Sequence, residues 1–173
     1  LDDIYYKNID TGGSYSTGIV GSRNYDGYIT EEQLTWLKND LSYISTSTPV
    51  IVELHIPVWS ILTESPFTAY EGLYSTTTLS NMLANYKKVL IVSGHTHFNY
   101  HAYPSSYPNI HENNIAAVCG SFWWTGYLTG RQICTDGSPT GYEVLNIDGD
   151  SINWQFHSIE KNGNAQFRVY DTN

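Results

Sequence analysis

Two short apolar runs that each end in histidine constrain this chain more than any other feature. Val50-Ile51-Val52-Glu53-Leu54 leads into His55-Ile56-Pro57, and Val89-Leu90-Ile91-Val92-Ser93 leads into Gly94-His95-Thr96-His97. Runs of this length and character predict strands of a parallel sheet covered on both faces. In α/β folds the carboxyl ends of such strands are where sites are built. Two strand ends that carry imidazoles to one edge point to a metal centre, because imidazole is the commonest metal-ligating side chain. His95 and His97 are two positions apart, so on a continuing strand both rings face one side. Gly94 supplies the sharp turn. The candidate ligands are therefore His55, His95 and His97. A strand continued past Gly94 also puts Asn99 and His101 on that side, with His101 at the rim. His111 and His157 read as exposed.

The segments around these runs give a helix–strand alternation, and the fold class is α/β. Tyr25-Asp26-Gly27-Tyr28 reads as a turn. Thr30-Glu31-Glu32-Gln33 is a capping box for a helix with Leu34, Leu37 and Leu41 on its apolar stripe and Trp36 alongside. A second helix is expected over Thr78–Tyr86, with Leu79, Met82, Leu83 and Tyr86 inward. The long connection from Val58 to Ser75 follows a candidate catalytic strand end, where loops commonly line a pocket.

After His97 the pattern changes to β-structure. Tyr142–Ile147, Ser151–Ile159 and Gln166–Tyr170 read as strands, separated by the hairpin signals Asp148-Gly149 and Asn162-Gly163. Ile152, Trp154 and Phe156 alternate with Asn153, Gln155 and His157, which buries one face. The expected organisation is residues 1–110 as one part and a β-rich module over 111–173. Trp59 and Tyr70 after the first histidine, and Trp123-Trp124 later, have two readings: packing, or an aromatic wall for substrate. Trp59, Trp123 and Trp124 are the candidate substrate contacts. Cys119 and Cys134 either pair in an oxidising compartment or stand as separate thiols, one buried before Gly120.

The net charge of −9, with eight Lys and Arg against seventeen Asp and Glu, excludes a nucleic-acid scaffold role, which needs clustered cations. No apolar run is long enough for a membrane span. Charged residues make up only 14%, against about 25% in ordinary soluble domains. With fifteen tyrosines, that composition leans toward an exported protein, periplasmic or extracellular.

Leu54-His55-Ile56-Pro57 and Ser93-Gly94-His95-Thr96-His97 resemble the last two metal-binding motifs of the calcineurin-like metallophosphoesterases. Gln33-Leu34-Thr35-Trp36-Leu37 stands where that family carries a Gln-Leu-x-Trp-Leu helix. The stretch from Cys119 to Gly126, with Asp136 to Tyr142 after it, resembles a C-terminal module that some bacterial members append. The resemblance implies a partial α/β sandwich and a dinuclear centre of Mn, Fe or Zn. It also implies phosphomonoester or phosphodiester hydrolysis, with His55 and His95 on one ion and His97 on the other. The family's earlier motifs, Asp-x-His, Gly-Asp-x-x-(x)-Asp and Gly-Asn-His-(Asp/Glu), do not occur. The chain thus looks like the C-terminal part of a longer enzyme, inactive alone and partnered by the N-terminal remainder of the catalytic domain. The alternative from another class is a non-catalytic fragment whose β-module binds a protein or glycan.

Overall fold

The computed structural model describes residues 1–6, 25–59, 75–120, 123, 134 and 136–159. Asp10, Tyr70, Trp124, Asn162-Gly163 and the expected strand Gln166–Tyr170 lie outside them. The chain forms a mixed α/β region followed by antiparallel β-structure. It divides into two compact units, Leu1–Ser93 with His101–Asn113, and Gly94–Tyr100 with Asn114–Asn173.

In the first unit, strands β1 (Ile4–Tyr6) and β2 (Tyr25–Gly27) pair antiparallel. The segment read as a turn at Tyr25 is thus a strand. Edge-on ring contacts of Tyr5 with Tyr28 and Tyr6 with Tyr25 accompany the pairing. Helix α1 (Glu31–Leu41) begins at Thr30, whose hydroxyl accepts the Gln33 N–H, and buries Leu34, Leu37 and Leu41. Only half of the expected capping box forms. The Gln33 amide instead exchanges two bonds with the backbone of Asp2, at 3.0 and 2.6 Å. Trp36 lies off the apolar stripe and is 58% exposed.

Helix α2 (Thr76–Leu83) is displaced toward the N-terminus relative to the sequence expectation. Leu79, Leu83 and Tyr86 are buried as expected. The Tyr86 hydroxyl donates to the Leu41 carbonyl at 2.7 Å, which ties α1 to the turn after α2. Each fully buried leucine contributes about 2 kcal/mol of transfer free energy, and Leu79→Ala, at 0% exposure, would cost about 2–5 kcal/mol.

The central sheet has the order β3-β4-β6-β5, from β3 (Val50–Glu53), β4 (Val89–Ser93), β5 (Tyr100–Ala102) and β6 (Ile110–Asn114). β3 and β4 are parallel, with Val50 opposite Val89 and Glu53 opposite Val92. Both strands therefore end at the same edge. In β4, Val89, Leu90 and Ile91 are all buried, as expected for an inner strand. β3 is a border strand among the described residues: Val50 and Val52 are buried, Ile51 is half-buried and Glu53 is exposed, so one face is covered more fully than the other.

In the second unit, β7 (Gly141–Asp148) and β8 (Ser151–Ser158) form an antiparallel hairpin closed by Gly149-Asp150. Gly149 takes φ 55°, the left-handed conformation that such a tight loop requires. Ile152 is buried, Trp154 and Phe156 are half-buried, and Asn153 and Gln155 are exposed, which matches the alternation in the sequence. Gly141 is obligatory, because a Cβ there would lie 2.3 Å from the Phe156 ring and 2.5 Å from the His157 carbonyl oxygen.

Candidate functional site

The first histidine segment leaves the end of β3 as an exposed His55 followed by buried Ile56, Pro57, Val58 and Trp59. Two carboxylates hold its backbone. Asp3, 1% exposed, accepts the His55 N–H on Oδ1 at 3.1 Å and the Ile56 N–H on Oδ2 at 2.5 Å. Glu112, 0% exposed, accepts the Val58 N–H on Oε1 at 2.9 Å and the Trp59 N–H on Oε2 at 2.7 Å. Pro57 has no N–H to satisfy. Every backbone donor from residue 55 to 59 thus ends on a buried carboxylate. Ser93, the last residue of β4, adds its hydroxyl to Glu112 Oε1 at 2.6 Å. Burial pushes the Asp3 carboxyl above its ordinary value, against the two backbone N–H bonds and the nearby His55. Burial likewise pushes Glu112 up to about 7, against the bonds from Ser93, Val58 and Trp59.

The second histidine segment begins where β4 stops, at Ser93. Its two histidines, rather than Gly94, take the left-handed backbone, with φ 68° at His95 and 62° at His97. Non-glycine residues seldom adopt this region, and where they do it often marks a functional loop. The same-side geometry expected of a continuing strand does not apply, because the strand has ended. A polar network holds the bend. Asn114 donates from Nδ2 to the Gly94 carbonyl at 2.5 Å, and its Oδ1 accepts the Thr96 hydroxyl at 2.5 Å. The Trp123 indole N–H donates to the His97 carbonyl, which also faces the Cys134 thiol at 3.5 Å. Asn99 donates its N–H to Asp136 at 2.8 Å and its amide to the Ser138 hydroxyl at 2.7 Å, and accepts the Ala116 N–H at 2.9 Å.

Imidazole suits a transition ion. Among the described residues, no three or more His, Cys, Asp or Glu side chains are arranged to hold a metal. His101 lies on β5 rather than on an extension of β4. Its Nδ1 is 3.0 Å from Nε2 of His111, whose ring stacks on Tyr103. His111 is thus half-buried rather than exposed, and burial with nearby His101 and Lys88 lowers its pKa to about 4. His157 is half-buried too, stacked on Tyr142.

Trp59 and Trp123 are 3% and 8% exposed, so the roles observed for them are internal. Trp59 packs on Tyr107 with ring centroids 5.6 Å apart, and Trp123 holds the His97 carbonyl. The cysteines are separate thiols, with Cys134 buried and Cys119 exposed, the reverse of the expected burial. Asp3, Glu112, Asn114, Asp136 and Asn99 were not legible as supports. The one sequence signal for Glu112 and Asn114 is a run of polar residues, His111-Glu112-Asn113-Asn114, directly after Ile110.

A search among curated proteins finds no match to this chain. Residues 112–173 match the family described as "C terminal of Calcineurin-like phosphoesterase". The match begins at Glu112 and takes in Asn114, Trp123, Cys134, Asp136 and Ser138, some of the side chains that hold the two histidine segments, while Asp3 and Asn99 lie outside it. Over residues 112–173 the chain is thus similar to the C-terminal module of calcineurin-like phosphoesterases.

Proposed function

We propose that the chain supplies imidazole ligands and their supports to a metal-dependent phosphoester hydrolase, a phosphomonoesterase or phosphodiesterase with a dinuclear centre. The observation that carries this reading is the network around Gly94–Asn99. A phosphoesterase C-terminal module here spends its polar side chains on fixing a Gly-His-x-His bend in left-handed backbone. In this reading His55 and His95 ligate one ion and His97 the other, each through a neutral imidazole nitrogen. Divalent Mn, Fe or Zn bound there would polarise the phosphoryl group and supply hydroxide at neutral pH. Asn114 and Trp123 orient the imidazoles by fixing the carbonyls of Gly94 and His97. Trp59, Trp123 and Trp124 supply aromatic contacts to the substrate.

Three imidazoles without a carboxylate make an incomplete set. The bridging carboxylate and the proton donor belong to the motifs this sequence lacks, and the N-terminal remainder of the catalytic domain supplies them. A periplasmic or extracellular location suits the low charge content. No described helix is long and apolar enough to cross a membrane.

Calorimetry with Zn²⁺ and Mn²⁺ on the chain and its His55→Ala, His95→Ala and His97→Ala variants tests the reading. Weak binding that each substitution diminishes is expected, with bis-(4-nitrophenyl) phosphate turnover at background. Binding indifferent to all three substitutions would overturn the metal assignment. Robust turnover would overturn the dependence on residues from elsewhere.

A further inference from the structure

Asp3 and Glu112 are buried acids for which the phosphoesterase reading has no chemical use. We infer that they are positioning residues, a pair of carboxylate clamps that fix the direction of the His55 imidazole. The inference rests on the proposed metal role of His55.

The geometry is unlike ordinary loop packing. Four N–H groups, at His55, Ile56, Val58 and Trp59, are taken in two adjacent pairs, each pair by the two oxygens of one carboxylate. A bidentate grip on consecutive N–H groups fixes the peptide planes as well as their distance. With the planes on both sides of Pro57 held, and φ of Pro57 set by its ring, the segment has little freedom left. His55 is the exposed member of an otherwise buried segment, so that fixed backbone sets the point and the direction from which its side chain departs. Glu112 also takes the Ser93 hydroxyl, which makes the end of β4 part of the same clamp. Carboxylates are an expensive choice here. An apolar side chain would fill the space, but four N–H groups would then be buried without acceptors. Groups that orient metal ligands commonly change affinity 10- to 100-fold when removed.

The test compares Asp3→Asn and Glu112→Gln with Leu79→Ala, a core substitution in the same unit that removes no hydrogen bond of either clamp. Zn²⁺ affinity is read by calorimetry and melting temperature by circular dichroism, on the full chain. Asn and Gln keep the shape but replace one acceptor oxygen by a donor, so one N–H of each pair is left facing a donor. The clamp predicts roughly 10-fold weaker Zn²⁺ binding in each carboxamide variant, while Leu79→Ala melts lower yet binds as the parent does. Should Asp3→Asn fail to fold, Asp3→Glu keeps the charge and shifts the grip, and the same loss is expected. Carboxamide variants that bind Zn²⁺ like the parent, while His55→Ala loses affinity, would overturn the positioning role and leave the metal reading intact. A loss of affinity in Leu79→Ala equal to theirs would reduce the clamp to general stability. Unchanged affinity in His55→Ala would remove the metal reading and the positioning role together.

Discussion

The two histidine segments are held in opposite ways. His55 stands on a backbone of ordinary conformation that two fully buried carboxylates grip. His95 and His97 stand on a backbone in an unfavourable conformation that neutral groups hold, chiefly Asn114, Asn99 and the Trp123 indole. The first arrangement costs desolvation of charge and the second costs backbone strain. Each cost is met locally, within its own unit. The contrast predicts that one segment responds to pH and to loss of charge, and the other to loss of amides and to the identity of the strained residue.

Removing Glu112 should have the largest effect. Glu112→Ala leaves the Val58 and Trp59 N–H groups and the Ser93 hydroxyl buried without their acceptor. At about 1–3 kcal/mol for each abandoned group, partly relieved by water entry, a loss of about 3–5 kcal/mol is expected. Urea unfolding at pH 6 measures it. A loss under 1 kcal/mol would mean that the segment relaxes freely and is not clamped.

The pH dependence is next in size. The Glu112 carboxyl moves from 4.5 to about 7 on folding. The folded chain therefore keeps a proton that the unfolded chain releases between those values. Stability is full below about pH 4.5 and falls as pH rises through 7, by on the order of 3 kcal/mol. Asp3 is raised in the same direction, so the parent keeps some slope even without Glu112. Glu112→Gln cannot titrate, and the difference between the two stability profiles isolates the Glu112 contribution. Parallel profiles would break the contrast between the segments.

How much of this was legible in the sequence follows from which groups do the holding. The apolar runs announced β3 and β4, and alternation announced β7 and β8, because burial of those strands depends on side chains that look buried. β6 was not announced. Ile110-His111-Glu112-Asn113-Asn114 is mostly polar in sequence, yet Glu112, Asn113 and Asn114 are all at most 1% exposed. Their burial depends on partners far along the chain, such as Val58, Trp59 and Gly94, and no local pattern encodes those partners. The histidines were legible by type and position at strand ends. Their backbone was not, since glycine was the obvious residue for the bend and the structure gives the positive φ to His95 and His97 instead. Asp3 was invisible for the reason Glu112 was, its partners being more than fifty residues away.

A smaller effect tests the neutral side of the contrast. Asn114→Ala removes the bonds to the Gly94 carbonyl and the Thr96 hydroxyl. A loss of about 1–3 kcal/mol is expected, with no change in the slope of stability against pH, because no titrating group is involved. Hydrogen exchange should report faster opening around Thr96 than around Ile56. Equal acceleration at both would show that the two segments are not held separately.

The smallest effect is the sharpest, because its sign should differ between the segments. His95→Gly places a residue without Cβ where φ is 68° and relieves strain of about 1–2 kcal/mol. The greater freedom of glycine in the unfolded chain takes back about 0.5–1 kcal/mol. A net gain between zero and about 1.5 kcal/mol is therefore expected, read as a slightly higher melting temperature, together with loss of a proposed ligand. His55→Gly has no strain to relieve, since His55 is not among the residues with positive φ. Only the entropic cost applies, and the variant should be less stable by about 0.5–1 kcal/mol. A chain that gains stability when His95 becomes glycine is holding that histidine against its backbone preference, as a site residue is held. If both substitutions destabilise alike, the left-handed backbone at His95 carries no strain and the contrast between the segments fails at its neutral end.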